Sequence, residues 1–225
     1  MTRPDYGRSF TLWRAACEDH WAAYTRHAFV EALSNGSLPR AAFLRYLRQD
    51  YLFLIHFSRA WSLAVVKAGS LAEMQAASAT VHALLHGETA LHVGICEAAG
   101  ISRADLEATE EAPENLAYTR YVLETGYSGD FLDLLAALAP CVLGYGEIGA
   151  RLVRRAGDTP YRPWIETYGG ADYQQLCAAT GALIDRAVTD RLGPAPEALP
   201  RWREITGRFV TATRLEAAFW GLGQA

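Results

Sequence analysis

Apolar residues recur along this chain at spacings of three and four, the signature of helices that bury one face. The first such segment runs from about Ser9 to Leu33 and stops at Ser34–Gly36. A second starts with Ser37 as N-cap and Pro39 in its first turn, and continues to Gly69. The third opens on Ser70, with Glu73 at capping-box spacing, and ends near Gly100. An acidic connector over 101–115 leads into a helix from about Glu114 to Thr125, and the next covers roughly 131–156. A Pro-rich turn around a short helix follows, and then helices over about 171–192 and 197–222. No alternating β-branched run, internal repeat or linker interrupts the series. The pattern predicts one all-α domain over residues 1–225, with seven or eight helices.

Three of the apolar stripes contain residues that do not belong in a plain core. Phe43, Leu47, Asp50, Leu54, Phe57 and Trp61 follow a 4-3-4-3-4 spacing with a carboxylate in the middle. A buried carboxylate needs a partner, a ligand or water, and an interhelical ion pair would satisfy it as well as a substrate would. In the last helix Ile205, Phe209, Ala212, Glu216 and Phe219 form a second stripe, again interrupted by an acid. Arg208 and Arg214 lie elsewhere around that helix. For Glu216 too an interhelical ion pair is the plain reading, but two acids in two core stripes weaken that reading for both.

The third stripe is Phe131, Leu134, Leu138, Cys141, Tyr145, Ile148 and Leu152. Cys141 and Tyr145 stand one turn apart on one face. Pro140 precedes the thiol, and a proline inside a helix costs ~3 kcal/mol. A packing helix gains nothing from that disturbance, which predicts that Pro140 aims Cys141 into a cavity. To act as a nucleophile the thiol also needs a polar neighbour.

Composition narrows the classes. Half the residues are hydrophobic (51%), the formal charge is −4, and the basic residues are scattered, so no phosphate-reading surface is expected and no nucleic-acid partner is implied. The N-terminus has no apolar signal region, and no run of ~18 uncharged apolar residues suggests a membrane span. Cys17, Cys96, Cys141 and Cys177 are far apart with no CxxC pair, the pattern of free thiols in a reduced, cytoplasmic protein. His82, His86, Glu88 and His92 lie along one helix, and the His82/His86 spacing can share a metal. Without an HExxH motif or paired Glu-x-x-His motifs, however, neither a metal nor another cofactor is expected. Tyr118, Tyr121 and Tyr168 sit near helix ends, as core filler or as walls of a flat pocket.

Taken together, YLRQDYLFLIHFSRAWSLA, AYTRYV, LLAALAPCVLGYGEIGARL, WIETYGG and ATRLEAAFWGLG occur in the order found in the TenA/thiaminase II family, which the chain resembles over nearly its whole length. The resemblance implies a heme-oxygenase-like helical bundle, a homotetramer, and a small-molecule pyrimidine substrate held inside each bundle. It implies hydrolysis of 4-amino-5-aminomethyl-2-methylpyrimidine, or of thiamin, to the hydroxymethyl pyrimidine of thiamin salvage. Cys141 then matches the nucleophile and Glu216 the acid/base. Asp50 matches the carboxylate on the aminopyrimidine edge, and Tyr118, Tyr145 and Tyr168 match pocket tyrosines. Many members carry tyrosine three residues after the aspartate; here that pocket position is Phe53. Two other classes compete: a metal- or heme-dependent oxygen-activating protein on the same bundle, and a ligand-binding regulator without catalysis.

Overall fold

The first 28 residues of regular structure are three helices rather than one. In the computed structural model, which describes residues 4–223, α1 (Arg8–Ala15), α2 (Glu18–Thr25) and α3 (Ala28–Asn35) replace the single helix that the pattern predicts. The breaks fall at Cys17, whose φ,ψ of −141°, 41° leave the helical region, and at His27, extended at −56°, 148°. His27 Nδ1 accepts the Phe29 amide at 3.2 Å and so caps α3. Neither break carries glycine or proline, the usual punctuation, so the apolar spacing runs through both.

The helix α4 (Arg40–Lys67) starts after Pro39, which is its extended N-cap, so Ser37 lies outside the helix instead of capping it. The helix α5 (Leu71–Ala83) begins as expected, with Ser70 Oγ accepting the Glu73 amide at 3.2 Å. Its continuation is not plain α-helix. One π turn over Leu84–Glu88 separates it from α6 (Thr89–Ala98). The acidic connector holds an unforeseen short helix, α7 (Arg103–Glu107), closed by a Ser102/Asp105 capping box. Then come α8 (Pro113–Ser128), α9 (Phe131–Leu152), α10 (Arg162–Gly169), α11 (Ala171–Leu192) and α12 (Pro200–Trp220). The described residues contain no β-strand.

The bundle is built around α9. It packs against α2, α4, α8, α10, α11 and α12, and every residue from Phe131 to Gly149 is buried. By length and apolarity alone α9 could cross a membrane, but its whole apolar window is enclosed by the other helices, the condition of a core helix. Asp130 and Asp133 form its capping box, and Arg201 of α12 clamps both carboxylates at 2.8 and 2.6 Å. Pro140 does not end the helix. The chain stays helical through it, and its carbonyl accepts the Tyr24 hydroxyl at 3.3 Å.

Glycines on α9 let its neighbours approach closely. A Cβ at Gly149 would sit 2.3 Å from the carbonyl carbon of Tyr168 and 2.5 Å from the Gly169 nitrogen, both backbone atoms of α10. This contact sets the depth at which α10 seats Tyr168. We expect Gly149→Ala to lower unfolding free energy by ~1–3 kcal/mol, the range for overpacking a tight site. Gly207→Ala, on the open face of α12 where a Cβ meets nothing within 4 Å, should raise it by ~0.5–1 kcal/mol through helix propensity. Denaturant melts of the two variants check the opposite signs.

Candidate active site

Five helices bring the first half of the site together. Glu216 of α12 is 1% exposed, Tyr118 of α8 is 1% exposed and Cys141 of α9 is 7% exposed. The Tyr118 hydroxyl donates to Glu216 Oε1 at 2.8 Å, and the Cys141 thiol and the Tyr24 hydroxyl of α2 lie beside this carboxyl group. Burial drives the Glu216 carboxyl up to about 8; the Tyr118 bond works against that and the Asp50 charge adds to it. Burial likewise lifts the Cys141 thiol well above its ordinary value, with the charges of Glu216, Glu88 and Asp50 lifting it further. Phe53 of α4 closes this half, its ring centroid 5.0 Å from that of Tyr118 and 5.4 Å from that of Phe219.

Asp50 anchors the second half. Its Oδ2 accepts the hydroxyl of Tyr46, one turn earlier on α4, at 3.3 Å, and Tyr46 in turn lies 3.3 Å from the Tyr145 hydroxyl of α9. The Nδ1 of His92 on α6 stands 2.9 Å from the same oxygen, out of line for a straight N–H···O bond, and makes an ion-pair contact. Burial disfavours a charge on His92, but the close contact and charge of Asp50 and the charge of Glu88 outweigh it and raise the imidazole's pKa. Tyr168 of α10 donates to Glu88 Oε1 at 2.5 Å, with His92 Nε2 3.4 Å from the same hydroxyl. The rings of Tyr145 and Tyr168 are 4.9 Å apart, and Tyr145 also packs on Trp220 at 5.4 Å.

The seven residues singled out in the sequence therefore line one buried polar cluster. Asp50 does have the ion-pair partner that a plain structural reading requires, whereas Glu216 meets hydroxyls and a thiol. Tyr24 and Tyr46 escaped notice because an aromatic residue in an apolar stripe has no distinguishing spacing. Glu88 and His92 were visible only as metal-binding candidates, while their partner Asp50 was on another helix. The carboxylate and imidazole atoms of Asp50, Glu88 and His92 fall within 4.8 Å of one another and could surround a cation. The contacts that each already makes account for them as a hydrogen-bonded network with one basic member. The rings of His82 and His86 lie 4.6 Å apart at a tilt of 38°, both exposed, away from this group.

Residues 14–224 match the TENA/THI-4/PQQC family, and the chain belongs to it. A TenA family transcription regulator from Silicibacter sp. TM1040 superposes with a TM-score of 0.95 over 97% of both chains at 61% identity. The aminopyrimidine aminohydrolase of Halalkalibacterium halodurans is 35% identical over 90% of this chain and 89% of its own length. At 12% identity, a domain with a heme oxygenase-like fold from Shewanella denitrificans still superposes at 0.71 over 96% of this chain and 91% of that one. The bundle is all-α and heme-oxygenase-like.

Phe53 gives this site its test. Its ring adjoins Tyr118 and so lies beside the Tyr118–Glu216 bond. A hydroxyl added here can reach the polar cluster, and a neutral hydrogen bond gained without strain is worth ~0.5–1.5 kcal/mol. We expect Phe53→Tyr to raise the enzyme's kcat/KM about 2- to 12-fold at unchanged melting temperature. A joint loss of activity and stability would show overpacking against Phe57 and Phe219 instead.

Proposed function

We propose that the protein hydrolyses 4-amino-5-aminomethyl-2-methylpyrimidine to the hydroxymethyl pyrimidine in thiamin salvage, with thiamin as a second substrate whose leaving group is the thiazole. One juxtaposition carries this reading: a buried thiol beside a buried carboxyl group of raised pKa, with a second carboxylate held by a histidine. The name of the Halalkalibacterium relative supports hydrolase chemistry of this class. On this reading the active unit is a single TenA-like domain spanning 1–225, working in the cytoplasm without a cofactor. A homotetramer is part of the proposal; α5 leaves Leu71 70% and Met74 41% exposed, an apolar face suited to a second copy.

The chemistry runs on one proton shared by Cys141 and Glu216. Asp50 accepts hydrogen bonds from the exocyclic amino group and holds the ring between the tyrosines. Cys141 passes its proton to Glu216, and the thiolate adds to the electron-poor ring, forming the S–C bond. Glu216 then protonates the departing amine, the methylene C–N bond breaks, and ammonia leaves. Water adds to the methylene while Glu216 takes its proton. Cleavage of the S–C bond releases the alcohol and restores thiol and carboxylate. The sum is one amine and one water in, one alcohol and one ammonia out.

The regulator reading, which the Silicibacter relative's name raises, is opposed by the acidic charge balance and by polar side chains directed into a closed cluster. A mobility-shift assay at low salt separates it from the hydrolase. Hydrolysis is tested by following ammonia from the aminomethyl pyrimidine and thiazole from thiamin.

Cys141→Ser should fold, melt near the wild type and have no measurable turnover, since an alkoxide forms far less readily than a thiolate. Turnover near the wild-type rate would overturn the covalent route. Glu216→Gln should bind the hydroxymethyl pyrimidine yet lose ~10²–10⁴-fold in kcat. The base form of Glu216 exists only once its proton is lost, and its carboxyl titrates at about 8. Wild-type kcat should therefore climb with pH and level off near that value, and the glutamine variant should show no such climb.

A further inference from the structure

Glu88 is placed where a regular helix would not put it. The π turn over Leu84–Glu88 inserts one residue between α5 and α6, closed by the Thr89 hydroxyl donating to the Leu84 carbonyl at 2.8 Å. Insertions of this kind cluster at functional sites. This one directs Glu88 onto the Tyr168 hydroxyl. Behind Glu88 a cleft of about 560 Å³ opens between the π turn, α10 and α11, lined by Leu84, Leu91, Glu166 and Asp172, with Glu88 and Tyr168 forming its inner wall. Glu88 thus connects that cleft to the buried site.

The Tyr168 hydroxyl has few directions for its proton. His92 Nε2, 3.4 Å away, is a donor whenever the imidazolium paired with Asp50 is formed. The proton then points either to Glu88 or into the pocket. If Glu88 is a carboxylate, it takes that proton and Tyr168 offers the pocket only a lone pair. A protonated Glu88 donates to the Tyr168 oxygen and frees the phenolic O–H. An aminopyrimidine presents an amino donor beside ring nitrogens that only accept. Asp50 satisfies the donor, and an acceptor nitrogen needs an O–H.

We propose that Glu88 is a positioning residue that sets the polarity of the Tyr168 hydroxyl, turning it into the donor for a ring nitrogen of the bound aminopyrimidine when Glu88 carries a proton. The inference rests on the substrate class proposed above. Burial raises the Glu88 carboxyl to about 7, against the pull of His92 and with the push of Asp50, so both forms are populated near neutrality. The groups that face it are Asp50 and Tyr46 from α4, His92 from its own helix, Cys141 from α9, Tyr168 from α10, and Tyr173 and Cys177 from α11. Of these, His92 is the one that could imitate Glu88 in the same range.

The test is calorimetric titration with 4-amino-5-hydroxymethyl-2-methylpyrimidine from about pH 6 to about pH 8.5, on the wild type, Glu88→Gln and Tyr168→Phe, each with a melting temperature. Any titration of the ligand itself is common to all three. Relative to that shared background, wild-type affinity should fall ~2- to 12-fold as pH rises through the Glu88 range, the worth of one neutral hydrogen bond. Glu88→Gln, whose neutral amide still donates to Tyr168, should keep the tight, low-pH affinity throughout. Tyr168→Phe should bind weakly and without the fall. A fall that persists in Glu88→Gln or in Tyr168→Phe assigns it to His92 or Glu216 and overturns the proposal. If the wild type does not bind the pyrimidine at all, the proposed substrate class fails, and this inference fails with it.

Discussion

The constraint on which this structure turns is an excess of buried acid. Asp50 and Glu216 are enclosed with a thiol, the half-buried Glu88 lines the cleft beside them, and His92 is the base placed between Asp50 and Glu88. Three carboxylates cannot all stay ionised so close together away from water. His92 balances Asp50, and protons must neutralise most of the rest, which is why Glu88 and Glu216 both titrate near neutrality. The same crowding keeps Cys141 a thiol until a ligand and a proton transfer change the balance. A cationic substrate suits such a cavity electrostatically, since its charge relieves the repulsion that the fold has to contain.

Much of this was legible in the sequence, for a physical reason. Acids at Asp50 and Glu216 interrupt strict apolar stripes, and a stripe fixes the direction in which its polar interruption points. The thiol could be separated from Cys17, Cys96 and Cys177 by its neighbours along one helix. Pairings between helices were not legible. Nothing in the spacing of Glu88 and His92 shows that they meet Asp50 and Tyr168, because those contacts depend on how α6, α4 and α10 cross. The breaks at Cys17 and His27 were hidden for a related reason, since backbone dihedrals there change without disturbing the apolar period.

The helix α9 shows how packing and chemistry are joined. Its enclosure on all sides supplies the desolvation that shifts the thiol, and its glycines decide how near the surrounding helices come. Tyr24 donates to the Pro140 carbonyl and lies beside Glu216, so the same small helix supports the acid and the turn beside the nucleophile. Lacking an N–H, Pro140 leaves the Ala136 carbonyl without its helical donor, while its own carbonyl is the one that accepts the Tyr24 hydroxyl.

The π turn has a consequence for how such a chain can vary. The segment α5 is seated by its own contacts, among them the Glu73–Arg191 ion pair to α11 at 2.6 Å. Downstream, α6 is seated by His92 on Asp50. Between two such fixed stations, the number of residues sets the angle between the faces. Removing one residue from Leu84–Glu88 would restore a uniform helix and rotate one station against the other by about 100°, the turn of a single residue. Length changes in surface loops leave a site untouched. Here a single-codon deletion would keep His92 on Asp50 but remove the bulge that sets Glu88 against Tyr168, so the cleft and the buried site would lose the residue that joins them.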